Sequence, residues 1–105
     1  MISDNASNDG TEAICRAYAA ADSRIRYHRQ PANIGAPRNY RAVFELSRAP
    51  YFKWANSDDL VDPGLVDVCV QALDSDPAVV LAHGRTQLID ADGAWLPGGE
   101  DDLNA

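Results

Sequence analysis

Three helix-forming stretches each start directly behind a polar, turn-forming loop, and this alternation constrains the fold more than any other feature of the chain. The loops are "SDNASNDGT", "QPANIGAPRN" and "WANSDDLVDP". Behind the first, "TEAICRAYAAA" (residues 11–21) places Ile14, Ala17, Tyr18 and Ala21 on one helical stripe. Asp9 followed by Glu12 has the spacing of a capping box, with acids where the helix N-terminal dipole favours them. Behind the second, "APRNYRAVFELSR" (36–48) carries Pro37 in its first turn, where the missing N–H costs nothing. Tyr40, Val43, Phe44 and Ser47 share a face there. Behind the third, "PGLVDVCVQALDS" (63–75) has Asp62 as N-cap and Pro77 beyond its end. Its expected buried face is Leu65, Val66, Cys69, Val70, Ala72 and Leu73.

Strand candidates fill the intervals. "RIRYHR" (24–29) alternates Ile25 and Tyr27 against Arg24, Arg26 and His28. "YFKWA" (51–55) and "AVVLAHG" (78–84) follow the second and third helices, and "TQLID" (86–90) leads into the turn signal "DADG". Ahead of the first loop only Ile2 and Ser3 have room to be strand. Helices alternating with strands predict an α/β fold, a mostly parallel sheet with crossover helices. A chain of 105 residues has room for one domain with one modest core. That domain is expected over residues 1–95, with 96–105, including "PGGEDDLNA", as a mobile acidic tail.

Charge and composition exclude several classes. A net charge of −7 argues against a nucleic-acid binder, which needs a basic face to meet phosphates. An acidic chain can still bind a phosphorylated ligand through a bridging divalent cation. No apolar run approaches the roughly 18–20 residues that cross a bilayer, and no signal-peptide pattern opens the chain. Cys15 and Cys69 lack zinc spacing and read as small buried thiols in a reducing compartment. The expected placement is cytoplasmic, with the inner membrane face as the station of a longer protein. Neither the dinucleotide-binding nor the P-loop glycine fingerprint occurs.

In open α/β sheets the ligand crevice lies where strand C-terminal ends meet helix N-termini. The order of elements places all three polar loops along that edge. In the first, Asp4 and Asn5 sit at a strand tip, where a carboxylate or amide can pair with nucleobase donors. Ser7 to Thr11 are accounted for by turn chemistry alone. In the second, Asn33 and Gly35 suit tight backbone positions, and Arg38 at the helix start can meet an arriving phosphate. Asn39 is placed to tie neighbouring loops together. In the third, Asn56 and Asp58 point one way from an extended segment and Asp59 the other. Carboxylate oxygens of this kind suit Mg²⁺ or Mn²⁺, whose sites use one or two acids plus substrate phosphates.

Taken together, "ISDNASNDGT", "YHRQPANIGAPRNYRAVFELSRAPYFKWANSDDLVDPGLVDVCVQALDSDP" and "VVLAHGRTQLIDADG" resemble the middle of a family 2 glycosyltransferase, over residues 2 to about 93. The resemblance implies the GT-A fold, an inverting transfer, a nucleotide-diphosphate sugar as donor, and a glycan or lipid acceptor in glycan biosynthesis. It implies that Asp4 contacts the nucleobase. It also implies that Asn56-Ser57-Asp58 stands at the Asp-x-Asp signature for Mg²⁺ or Mn²⁺ on the sugar diphosphate, with Asp58 as the metal residue. Asn56 is an amide where the family has an acid, so the donor-sugar contact there, near Asp59, departs from the pattern.

The resemblance further implies a first strand ahead of residue 1, lying within the sheet, and an acidic general base well downstream. The chain is thus expected to be truncated at both ends and inactive alone. A gap left in the sheet would be closed by rearrangement or self-association, because unpaired buried backbone is costly. Glu100, Asp101 and Asp102 follow the metal loop too closely to supply the base. The second functional reading is a non-catalytic module that holds a nucleotide or metal.

Overall fold

The computed structural model describes residues 1–100, in two compact units: Met1–Asn56, and a second from Ser57 onward.

The first unit is α/β. Strand β1 (Ile2–Asp4) pairs in parallel with β2 (Tyr27–Arg29), in the register Ile2↔Tyr27, Ser3↔His28 and Asp4↔Arg29. Helix α1 (Thr11–Ala21) forms the crossover between them and packs on both strands. Helix α2 (Ala36–Glu45) packs on β1, with Pro37 in its first turn. Gly35 precedes α2 with φ +82°, a left-handed backbone that glycine alone adopts without strain.

The periodicity located the helices and misjudged which faces they bury. On α1, Thr11, Glu12, Cys15 and Ala19 are half-buried, while Ile14 and Tyr18 of the expected stripe are 59% and 62% exposed. On α2 the half-buried positions are Asn39, Ala42 and Val43, with Leu46 and Ser47 just beyond its end; of the expected face, Val43 and Ser47 are thus half-buried, and Tyr40 and Phe44 are exposed. The reason lies at the strands, where Asn39 hydrogen-bonds β1 and Glu12 pairs with Arg29 of β2. These polar ties set the rotation of each helix. Helix α2 stops three residues short of the expected 48, with Leu46 as C-cap. The capping box at α1 forms only in part. Asp9 Oδ1 accepts the Thr11 N–H at 3.0 Å, but Glu12 turns to Arg16 and Arg29.

Residues 51–55, expected as a strand, form none. A strand is defined by a ladder partner, and side-chain packing holds this segment instead. Phe52 meets Phe44 edge-on at 5.1 Å between ring centroids and Trp54 at 4.8 Å, and Trp54 Nε1 donates to the Tyr40 carbonyl at 3.2 Å.

In the second unit, helix α3 (Leu65–Ser75) starts two residues later than expected. Gly64 takes the N-cap position, while Asp62 Oδ1 accepts the Gly64 N–H at 2.8 Å. Leu65, Cys69, Val70, Ala72 and Leu73 are half-buried as expected, and Val66 is exposed. Residues 78–84, also expected as a strand, are irregular and run close to the helix start. A Cβ on Gly84 would lie 2.6 Å from Leu65 Cδ1.

Strands β3 (Gln87–Ile89) and β4 (Trp95–Glu100) make an antiparallel hairpin with an irregular register. Its turn is the expected "DADG". Asp90 Oδ1 accepts the N–H groups of Asp92 and Ala94, and Gly93 has φ +83°. Residues 96–100, expected in the mobile tail, therefore belong to β4, while 101–105 lie outside the described residues. The expected α/β class with a mostly parallel sheet is thus met in part: among the described residues the strands form one parallel pair, β1 with β2, and one antiparallel hairpin, β3 with β4.

Among the described residues no hydrophobic side chain is buried; the buried ones are polar, Asp4 and Gln30. Cys15 and Cys69 are both free and half-buried. No helix of the described residues is long and apolar enough to cross a membrane.

Candidate functional site

The C-terminal end of β1 carries a dense polar network. Asp4 ends the strand with its side chain only 1% exposed. Its Oδ1 accepts the Ser7 N–H at 2.8 Å and its Oδ2 the Tyr27 hydroxyl at 2.7 Å. Arg29 Nε lies 3.5 Å from Asp4 Oδ2 and 3.1 Å from Glu12 Oε2, and Arg29 Nη2 donates to the Ser7 carbonyl at 2.8 Å.

Burial pushes the Asp4 carboxyl up. Hydrogen bonds from Ser7 and Tyr27 and the Arg29 charge outweigh that and hold it below the usual carboxylate range. The Tyr27 hydroxyl is pushed up to about 12, by desolvation first and then by the hydrogen bond and charge of Asp4.

The turn that follows has Ala6 at φ 62°, the left-handed region a residue with a Cβ seldom adopts. Asp4 bridges this turn by accepting the Ser7 N–H, which offsets some of that cost.

Asn5 joins the first loop to the second. Its Nδ2 donates to Asn33 Oδ1 at 2.9 Å, and its Oδ1 accepts the Ile34 N–H at 2.9 Å. Asn33 Oδ1 also accepts the Gly35 N–H at 2.9 Å, just ahead of α2. Asn39, expected to tie loops together, bonds Ser3 twice. Its Nδ2 donates to the Ser3 carbonyl at 2.9 Å, and the Ser3 hydroxyl donates to its Oδ1 at 2.7 Å. The first two polar loops are therefore adjacent, with Arg38 exposed on the first turn of α2 beside them.

Of the third loop, Asn56 closes the first unit, where its Oδ1 accepts the Tyr40 hydroxyl of α2. Asp58 and Asp59 open the second unit, both exposed. Among the described residues no three His, Cys, Asp or Glu side chains cluster as a ready-made metal cage. Asp58 and Asp59 are adjacent in sequence, and carboxylate oxygens are the donor type that a hard cation takes.

Sequence reasoning missed Tyr27 and Arg29. The signal was present in "RIRYHR": residues two apart share a strand face, so a parallel neighbour brings both to the tip of β1.

The sequence profile for "Glycosyl transferase family 2" matches residues 1–99. Among curated relatives, "Uncharacterized protein Mb1547" of Mycobacterium bovis is 31% identical over 96 residues, which is 90% of this chain and 28% of that protein. "Uncharacterized protein Rv1520" of Mycobacterium tuberculosis matches to the same extent. "Uncharacterized protein y4gI" of Sinorhizobium fredii is 33% identical over 64 residues, 61% of this chain and 7% of that protein. The chain thus spans under a third of the length of each of these relatives. No solved structure matches. With the profile covering nearly the whole chain, including all three polar loops, the chain belongs to glycosyl transferase family 2.

Proposed function

We propose that this chain is the donor-binding part of a GT-A-type glycosyltransferase that moves a sugar from a nucleotide-diphosphate sugar to the hydroxyl of a glycan or lipid acceptor. The observation that carries this reading is the clamp formed by Asn5 and Asn39. It sets two polar loops side by side at the C-terminal end of β1 and the start of α2, where α/β folds receive phosphorylated ligands. The loop bearing Asp4 and Asn5 flanks the nucleotide, and Arg38 meets a phosphate at the α2 N-terminus.

Asp58, with Asp59 beside it, would hold Mg²⁺ or Mn²⁺ against the diphosphate. The cation supplies Lewis-acid stabilisation of the negative charge on the departing diphosphate. In the transfer, the acceptor oxygen loses its proton to a base and bonds to the anomeric carbon as that carbon's bond to the diphosphate oxygen breaks. No residue of this chain is assigned as that base. Self-association of the chain on its own is part of this reading, and sedimentation velocity reads it as a concentration-dependent size.

Calorimetric titration of uridine diphosphate with and without Mn²⁺ tests the donor site. Binding that requires Mn²⁺ is the expected result; binding indifferent to the cation, or none, contradicts it. A second reading, a module that binds the nucleotide without catalysing transfer, is favoured by one observation: Asn56 stands at the first acid of the metal signature with its carboxamide oxygen held by Tyr40.

A further inference from the structure

Charge divides sharply at the boundary between the two units. Met1–Asn56 carries eight of the nine Lys and Arg residues but only five of the sixteen acids, a net of +3. From Ser57 onward there are eleven acids and one arginine, Arg85, a net of −10. A chain of net charge −7 thus pairs a basic unit with a strongly acidic one, and asymmetry of this kind between halves marks interaction surfaces.

Each unit also exposes apolar side chains among its charges. In the first, the rings of Phe44, Phe52 and Trp54 pack on one another, with centroids 4.8, 5.1 and 6.2 Å apart, while Phe44 and Trp54 stay exposed. Exposed Arg48 and Lys53 lie in the segment between those two residues. In the second unit, Leu60, Val61, Val66 and Val68 are exposed, with exposed Asp62 and Asp67 interleaved. No hydrophobic side chain of the described residues is buried, so much of the apolar surface that folding normally removes from water still faces it.

Two basic surfaces repel, as do two acidic ones, whereas a basic surface meets an acidic one with complementary charge around apolar groups. We infer that copies of this chain associate head to tail, the basic aromatic surface of one copy's first unit meeting the acidic aliphatic surface of another's second unit. The inference gives the self-association proposed above a surface and a polarity, and it does not depend on donor binding. Such a contact joins unlike surfaces, so each bound copy keeps one surface free to take a further copy unless the assembly closes on itself. Apolar burial between like surfaces is the competing arrangement, and salt gives the two cases opposite signs. Screening removes the attraction between unlike surfaces and relieves the repulsion between like ones.

Sedimentation velocity of the full chain tests this, with a chelator present so that no divalent cation bridges the acids. Raising NaCl from about 50 mM to about 500 mM is expected to weaken association about tenfold or more. Arg48→Glu with Lys53→Glu takes the first unit from +3 to −1. That variant is expected to self-associate at least about tenfold more weakly at low salt. A fluorescently labelled trace of it still sediments with excess wild-type chain, because its acidic unit is intact. Arg48→Gln with Lys53→Gln removes the charges without reversing them; it gives an intermediate loss and keeps the test open if reversal disturbs folding. Three results overturn head-to-tail docking while leaving self-association in place: association unchanged or stronger at high salt, a charge-reversed variant that self-associates like the wild type, or a labelled trace that ignores the wild type. A size independent of concentration overturns self-association and this inference with it, while donor binding stands.

Discussion

The Tyr40 hydroxyl donates to Asn56 Oδ1, so α2 holds the residue from which the acidic loop departs. The backbone of the same tyrosine accepts Trp54 Nε1 at 3.2 Å, and the two rings lie 6.4 Å apart. Segment 54–56 is thus fixed to α2 by Tyr40 at two points. Tyr40→Phe removes one of them. Because both partners are exposed, the expected loss of stability is about 0.5–1 kcal/mol in urea unfolding, at the low end for a hydrogen bond. Asn56→Asp keeps an acceptor for the hydroxyl and is expected to retain the tie, leaving the unfolding midpoint close to that of the wild type.

The left-handed turn at Ala6 predicts a substitution that stabilises. Ala6→Gly removes the Cβ from a backbone at φ 62° and is expected to add about 0.5–1 kcal/mol, after the entropy glycine gains in the unfolded chain. Gly35→Ala carries the opposite sign. Nothing lies within 4 Å of the new Cβ, so the cost of about 1–3 kcal/mol comes from the backbone at φ +82° and ψ 154°. Urea midpoints of the two variants should move in opposite directions.

Asn5 supplies both a donor and an acceptor to the neighbouring loop. Asn5→Ala leaves the Ile34 N–H and Asn33 Oδ1 without that partner, and is expected to cost about 1–2 kcal/mol. Faster hydrogen exchange at Ile34, with little change at the amides of α1, would locate the effect in the loop pair.

Asp4 makes stability depend on pH with a definite sign. Its carboxyl is held below the ordinary 3.8, so its contribution is fully present above that value and is lost as pH falls through the folded-state value. Asp4→Asn should lower stability at neutral pH by about 1–3 kcal/mol and flatten the acid limb of the unfolding curve. Tyr27 acts at the other end. Its pKa is raised to about 12, so its contribution is present below the ordinary 10 and lost as pH rises through about 12. Denaturation curves from pH 2 to 12 on the wild type and Asp4→Asn check the acid claim.

The sequence disclosed helices better than strands for a physical reason. Helix α1 occupies the residues its pattern marked, because helical hydrogen bonds are local and the punctuation around Gly10 and Asp22 is local as well. Residues 51–55 have strand composition, yet a strand also needs a neighbour, which lies elsewhere in sequence. The same distance hid the site's inner layer. Tyr27 and Arg29 stand 23 and 25 residues from Asp4, and only the parallel register Asp4↔Arg29 brings them together. Ile14 and Tyr18 misled because they follow helical spacing, while Thr11, Glu12 and Cys15 occupy the half-buried face. The loop pair was legible as polar turn chemistry, and Asn39 as its tie; the partners of Asn5 were not.

The central claim, a cation-dependent grip on a diphosphate anchored by Asp58, is tested most directly by electron paramagnetic resonance of Mn²⁺ titrated into the chain with uridine diphosphate present. The account predicts protein-bound Mn²⁺ that requires the nucleotide and disappears in Asp58→Ala. Equal Mn²⁺ binding by the wild type and Asp58→Ala would contradict it.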